Sequence, residues 1–207
     1  METVARPKEF DREVVLEIAK AVFWRKGYEA TSTEDLRLAM GIGRQSFYDS
    51  FGGKRPLYLE ALRRYNSDGI EAHFARMESA PSPLAALEEL LVSFSKEEPH
   101  RRALGCMGVA AMCETGVNDP AVARIGRSSA ARLELLLERT LRKAKARGEV
   151  RAGLKEKVAA RHLQATILGL KVMSKAGASP QVLRDVAVGA IEGLVASGSA
   201  RPRKASS

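Results

Sequence analysis

The chain of 207 residues and 22.5 kDa is long enough for one large or two small domains with a substantial core. Its 45% hydrophobic and 29% charged residues exclude a disordered chain, and only 5% aromatics alongside abundant Ala, Leu, Arg, Lys and Glu favour helices over sheet. The formal net charge of +9 suits a polyanionic partner, but residues 1–65 carry 12 basic against 10 acidic side chains, so charge alone places no nucleic-acid reader there.

Residues 1–8 read as a loose arm carrying Arg6 and Lys8. The first predicted helix opens at Asp11, a good N-cap, with Phe10 and Val15 placed for a hydrophobic staple. Val14, Val15, Ile18, Ala19, Val22 and Phe23 recur at helical spacing, and Gly27 supplies the stop. A second helix opens at Ser32, with Asp35 three residues on as a variant capping box, and ends at Gly41. After the tight turn Gly41-Ile42-Gly43, a third helix runs from Arg44 to Phe51 and is closed by Gly52-Gly53. Lys54 opens a long fourth helix through Leu57, Leu62, Tyr65, Ile70 and Phe74.

Pro81 and Pro83 mark a break, beyond which the pattern predicts helices over 83–97, 103–114, 119–147, 155–175 and 180–197. The densest basic stretch, Arg139 to Arg161, holds nine Lys and Arg against Glu149 and Glu156 and reads as a solvated helix end and loop. No period-two strand signal is present, so the predicted fold is all-α, with about nine helices.

Two short helices joined by a glycine turn and flanked by longer ones follow the plan of a helix-turn-helix. Leu36, Ala39, Ile42 and Phe47 can form the small core that fixes the inter-helix angle, leaving Arg44, Gln45, Ser46 and Tyr48 on the outer face of the third helix. Arg suits guanine O6/N7 and Gln suits adenine N6/N7 in a major groove. Ser32, Thr33 and Lys54 fall at helix N-termini, where hydroxyls, backbone N–H groups and an ammonium meet phosphates. A three-helix subdomain without a nucleic-acid role has the same pattern, so both readings stand on spacing alone.

The run Phe23-Trp24-Arg25-Lys26-Gly27-Tyr28-Glu29-Ala30-Thr31-Ser32, then Leu36 to Gly41, then Ser46-Phe47-Tyr48-Asp49-Ser50-Phe51 and Lys54, resembles the N-terminal domain of TetR-family repressors over about residues 10–60. The resemblance implies a ligand-controlled repressor with a helical effector domain, acting as a homodimer on a palindromic double-stranded DNA operator. It assigns phosphate contacts to Thr33, Tyr48 and Lys54, and base reading to Arg44, Gln45 and Ser46. Ser50 departs from the pattern, since many members carry His or another larger polar residue there. The expected organisation is a DNA-binding domain over 1–54, an effector and dimerisation domain over 55–197 and a disordered basic tail over 198–207.

In the second domain, Ala165 and Gly169, then Gly189 and Gly193, place small residues four apart on the last two helices. Ile167, Leu170, Val182, Val186, Ile191 and Leu194 surround them, a pattern that suits either a four-helix dimer interface or ordinary internal packing. The segment Gly105-Cys106-Met107-Gly108-Val109 resembles a branch of TetR-like regulators with Gly-Cys-Leu here, some of which respond to electrophiles or oxidants through a thiol. Cys106 near a helix start and Arg101/Arg102 is either a reactive thiol or a small buried hydrophobe. Alignment with that branch makes Lys175 its candidate partner. Cys106 and Cys113 are expected on one helix side but ~10 Å apart, too far for a disulfide. Phe74, Met77, Phe94, Met107, Met112, Leu133, Leu137 and Met173 are candidates for an apolar effector pocket, or for plain core.

Two cysteines, no apolar run of roughly 18 residues and no signal-like N-terminus predict a cytoplasmic protein without a membrane partner. Three scattered histidines and the absence of catalytic or phosphate-cradling motifs predict no metal, no cofactor and no enzyme. The alternative function is an architectural protein that coats DNA with little sequence preference and no effector, using the 139–161 run.

Overall fold

Helix-end signals in the sequence become cap hydrogen bonds in the computed structural model, which describes residues 10–116 and 118–195. All regular structure among them is helical: α1 (Arg12–Lys26), α2 (Thr33–Met40), α3 (Arg44–Phe51), α4 (Lys54–Ser79), α5 (Pro83–Ser93), α6 (Pro99–Leu104), α7 (Met107–Glu114), α8 (Pro120–Ala146), α9 (Glu156–Lys175) and α10 (Pro180–Glu192). A 3-10 turn, Phe94–Lys96, follows α5. The expected arm over 1–8 and tail over 198–207 lie outside the described residues.

Asp11 accepts from the backbone N–H groups of Glu13 (2.9 Å) and Val14 (3.4 Å), starting α1 as predicted. Ser32 and Asp35 form a reciprocal capping box on α2, at 3.0 and 2.9 Å. The predicted helix over 103–114 is instead two, α6 and α7. Gly105 takes φ 68°, ψ −152°, a conformation that side-chain-bearing residues avoid. A Cβ there would also lie 2.7 Å from Lys175 Cδ.

Two compact units form, each assembled from separated stretches: Met1–Gly69 with Cys106–Ser128, and Ile70–Gly105 with Ser129–Ser207. This division departs from the expected 54/55 boundary. The first unit's core explains why: Phe23, Leu36 and Phe47 share it with Leu57, Ala61 and Leu62 of α4, Met107 and Ala111 of α7, and Val122 and Ile125 of α8. Two details differ from the periodicity. Val14 is 54% exposed, and Ala39 is exposed while Met40, one turn beyond Leu36, is buried.

The second unit packs Leu87, Leu90 and Leu91 of α5 with Leu137 and Leu141 of α8, Leu163, Ile167 and Leu170 of α9, and Leu183 and Ile191 of α10. The basic run closes α8 and forms the loop to α9. Within it Arg142 pairs with Glu138 (2.8 Å), Lys145 with Glu156 (3.0 Å), Arg147 with Glu149 (2.9 Å) and Arg161 with Glu134 (3.0 Å). Among the described residues, no helix is long and apolar enough to cross a membrane, and no cluster of three His, Cys, Asp or Glu could hold a metal ion.

Candidate nucleic-acid interface and effector region

Helix α3 is held by two aromatic anchors, Phe47 and Phe51, both buried, with ring centroids 6.2 Å apart. A helix pinned at positions four apart turns its other face outward. Arg44, Gln45, Ser46 and Tyr48 are all exposed there, and Ser50 is half-buried. The Tyr48 ring stands edge-on to Phe47 at 5.3 Å, which fixes the direction of its hydroxyl. Gln45 Nε2 donates to Asp49 Oδ1 at 2.9 Å, one turn along, so the amide is already ordered along the helix. No side chain caps the first turn of α3, which begins at Gly43. Its leading N–H groups are therefore open to an anion.

The expected phosphate contacts cluster around the two neighbouring helix starts. Ser32 is the exposed N-cap of α2 and Thr33 its first residue. Lys54 begins α4, with Nζ 4.3 Å from the Tyr28 ring centroid and 3.4 Å from the Glu29 carbonyl oxygen. Lys26 donates to Asp35 at 2.8 Å, which holds the Asp35 carboxyl down at about 2.

Sequence reasoning missed the acids that brace this head from the far side. Glu114, at the end of α7, accepts from the backbone N–H groups of Tyr28 (3.0 Å) and Glu29 (2.8 Å) in the turn before α2. Asp119 is bound by both terminal nitrogens of Arg55, one at 3.0 Å, and also accepts from Ala121 N–H (2.9 Å) and Val122 N–H (3.2 Å) at the start of α8. The Arg55 guanidinium holds the Asp119 carboxyl at about 2. Gly108 lets α7 lie close to α4, since a Cβ there would fall 2.8 Å from Asn66 Oδ1. Nothing local in the sequence marks Glu114, because its partners lie 85 and 86 residues away.

The effector candidates separate. Cys106 is buried as the N-cap of α7, whereas Cys113 within that helix is exposed, and no disulfide joins them. Met107 is buried in the first unit's core, and Met112 is exposed against Gly126. Lys175 ends α9 and covers Gly105. In the second unit, Phe94 and Leu137 belong to the main core, with Leu133, Met173 and Met77 packed on it, while Phe74 is half-buried. Ala165 and Gly169 on α9, Val186 and Gly189 on α10, and Gly193 at its C-cap are all exposed, alongside Val158, Leu168, Val172 and Val182. Ile167, Leu170, Ile191 and Leu194, expected around that stripe, face the core instead.

Residues 15–61 match the bacterial regulatory proteins of the tetR family, and residues 81–189 match the tetracyclin repressor-like C-terminal domain. The chain belongs to the TetR family. It is thus a helix-turn-helix transcriptional regulator, from a family that is not enzymatic. This TetR-family chain is 33% identical over 184 residues to YezE, an uncharacterized HTH-type transcriptional regulator of Bacillus subtilis (strain 168), covering 88% of this chain and 95% of the relative. It is 30% identical over 188 residues to the HTH-type transcriptional repressor ComR of Escherichia coli (strain K12), covering 88% of each. A cysteine-substituted form of the TetR-family regulator CifR, solved with 26-bp double-strand operator DNA, shares 28% identity. That comparison covers 92% of this chain and all of CifR, with a TM-score of 0.78.

Proposed function

We propose that this regulator is a repressor that grips a palindromic operator as a homodimer and releases it when a small effector binds. One observation carries the reading: Arg44, Gln45, Ser46 and Tyr48 project into solvent from a short helix locked by buried Phe47 and Phe51. A rigid helix with an Arg and an ordered Gln on its free face supplies the donors that read guanine and adenine edges. Ser32, Thr33, Ser50, Lys54 and the open first turn of α3 supply the flanking phosphate contacts. CifR in complex with operator DNA and the repressor ComR support this assignment.

The dimer reading rests on the exposed faces of α9 and α10. Gly169 and Gly189 have open space where a Cβ would be, which allows close approach by a second copy's helices. The effector is a non-covalent apolar ligand of the second unit or a thiol-reactive compound acting at Cys106. If the latter, Cys106→Ser abolishes reagent-driven release and Cys113→Ser retains it. A coating protein is disfavoured because four cations of the 139–161 run already have carboxylate partners.

The decisive experiment selects a duplex from random sequence and measures its affinity for a variant with Arg44, Gln45 and Tyr48 all changed to alanine. Two lost base contacts cost about 1–3 kcal/mol each and the Tyr48 phosphate contact is lost with them, so specific binding falls at least about thirtyfold while the melting temperature is unchanged. Undiminished affinity in that folded variant refutes the proposal.

A further inference from the structure

Buried polar groups in folded proteins nearly always have a partner. Three in the second unit do not: His73 Nδ1, one terminal guanidinium nitrogen of Arg102, and Ser174 Oγ. They come from α4, α6 and α9, of which α6 packs on α9. Phe94 joins two of these helices: the His73 ring stands edge-on to it, centroids 6.4 Å apart, and Lys171 of α9 brings Nζ to 5.8 Å from the same ring. Ser174 lies three residues after Lys171, hence on the same side of α9, and is 6% exposed. Arg102 lies three residues before Gly105, which backs onto the Lys175 side chain, so α6 closes over the last turn of α9.

The chemistry of these groups has one complement. A guanidinium N–H without an acceptor, a hydroxyl without a partner and an imidazole kept neutral by burial and by the charges of Lys171 and Arg76 all sit in positive potential. A buried guanidinium nitrogen without an acceptor is costly even on a half-buried arginine, and a carboxylate oxygen supplies that acceptor. The surrounding side chains, Phe94 with Met77 and Met173, are apolar and adaptable.

We propose that the effector is an organic carboxylate with an apolar body, its acid group taken by Arg102, Ser174 and His73 and its hydrocarbon part by Phe94 and its neighbours. This rests on the effector-released reading above and narrows it to acidic amphiphiles. Binding to one conformational state supplies the partners that the unliganded protein lacks, and that differential affinity shifts the population toward the state with the ligand.

The test compares unbranched and arylalkyl carboxylates, from butyrate to dodecanoate, each against the alcohol of equal chain length, using the full-length protein. At least one carboxylate is expected to raise the melting temperature by several degrees more than its alcohol, and to weaken operator binding more than tenfold. Arg102→Met and Ser174→Ala are expected to remove the carboxylate-specific part while still binding the selected duplex. Should Arg102→Met not fold, Ser174→Ala and the carboxylate–alcohol pair on the parent protein decide. Alcohols that stabilise and release DNA as well as their acids overturn the anion assignment but leave effector control standing. A panel in which no carboxylate exceeds its alcohol overturns the assignment as well.

Discussion

Phe47 and Tyr48 are adjacent aromatics with opposite exposures: the first is fully buried and the second 44% exposed. That contrast, set by a single step around α3, puts a hydrophobic anchor beside an exposed face, the one proposed to read DNA. Glu114 supports the same head with two charge-assisted hydrogen bonds to backbone N–H groups. Glu114→Gln removes the charge and leaves one carbonyl to serve two donors, at a cost of about 1 kcal/mol for so exposed a site. The expected result is faster hydrogen exchange at the Tyr28 and Glu29 amides and a several-fold loss of operator affinity; unchanged exchange at both amides shows that the brace is idle. His73 gives a second prediction. Burial first, then Lys171 and Arg76, pushes its pKa down to about 4. Between the ordinary histidine value near 6.5 and about 4, the unfolded chain binds a proton that the folded chain refuses, so stability is full above that window and declines as pH falls through it. The loss is on the order of 2 kcal/mol, and His73→Leu flattens it in urea midpoints taken at pH 7 and pH 5. Asp35 and Asp119, held at about 2, lose their pairing only at lower pH, so they do not mimic the effect.

Helices with strong end signals were the readable elements. Asp11 and Ser32 sit at N-caps because their side chains satisfy backbone donors within three residues, information that is entirely local. The exposed face of α3 was legible for the same reason, since four-residue spacing of Phe47 and Phe51 dictates which side is free. Three features were not legible. Ala39 and Met40 are both apolar and adjacent, and only tertiary packing chooses between them. The membership of α7 in the DNA-binding unit depends on contacts that no sequence window contains. The α6–α7 break depends on whether Gly105 is a tolerated helical glycine or a corner, and at φ 68°, ψ −152° it is a corner. Gly105→Ala therefore costs about 1–3 kcal/mol. Lys175 can swing away from an added methyl, but the backbone strain stays, so adding Lys175→Ala to Gly105→Ala recovers little. Full recovery in the double variant, measured by thermal or urea unfolding, assigns the cost to the side-chain clash instead.

On the proposed dimer reading, the whole molecule places two heads on one duplex. A net charge of +9 gives nonspecific attraction that weakens steeply with salt, whereas on that reading sequence preference comes from two α3 helices in successive major grooves, about 34–36 Å apart. On that reading the exposed α9–α10 faces pair to hold the spacing, since one copy carries one α3 helix. Val186, 37% exposed beside Gly189, is the position where a charge harms that pairing without entering the core. Val186→Glu is expected to yield a folded monomer by size-exclusion light scattering, with operator affinity reduced to that of a single half-site. Inserting half a helical turn, about five base pairs, between the operator halves removes the same bivalent gain from the unaltered protein, because the second groove then faces away. If Val186→Glu stays dimeric, the partner surface lies elsewhere; if the lengthened operator binds as tightly as the original, the two heads are not rigidly spaced, and effector control by spoiling their spacing is wrong.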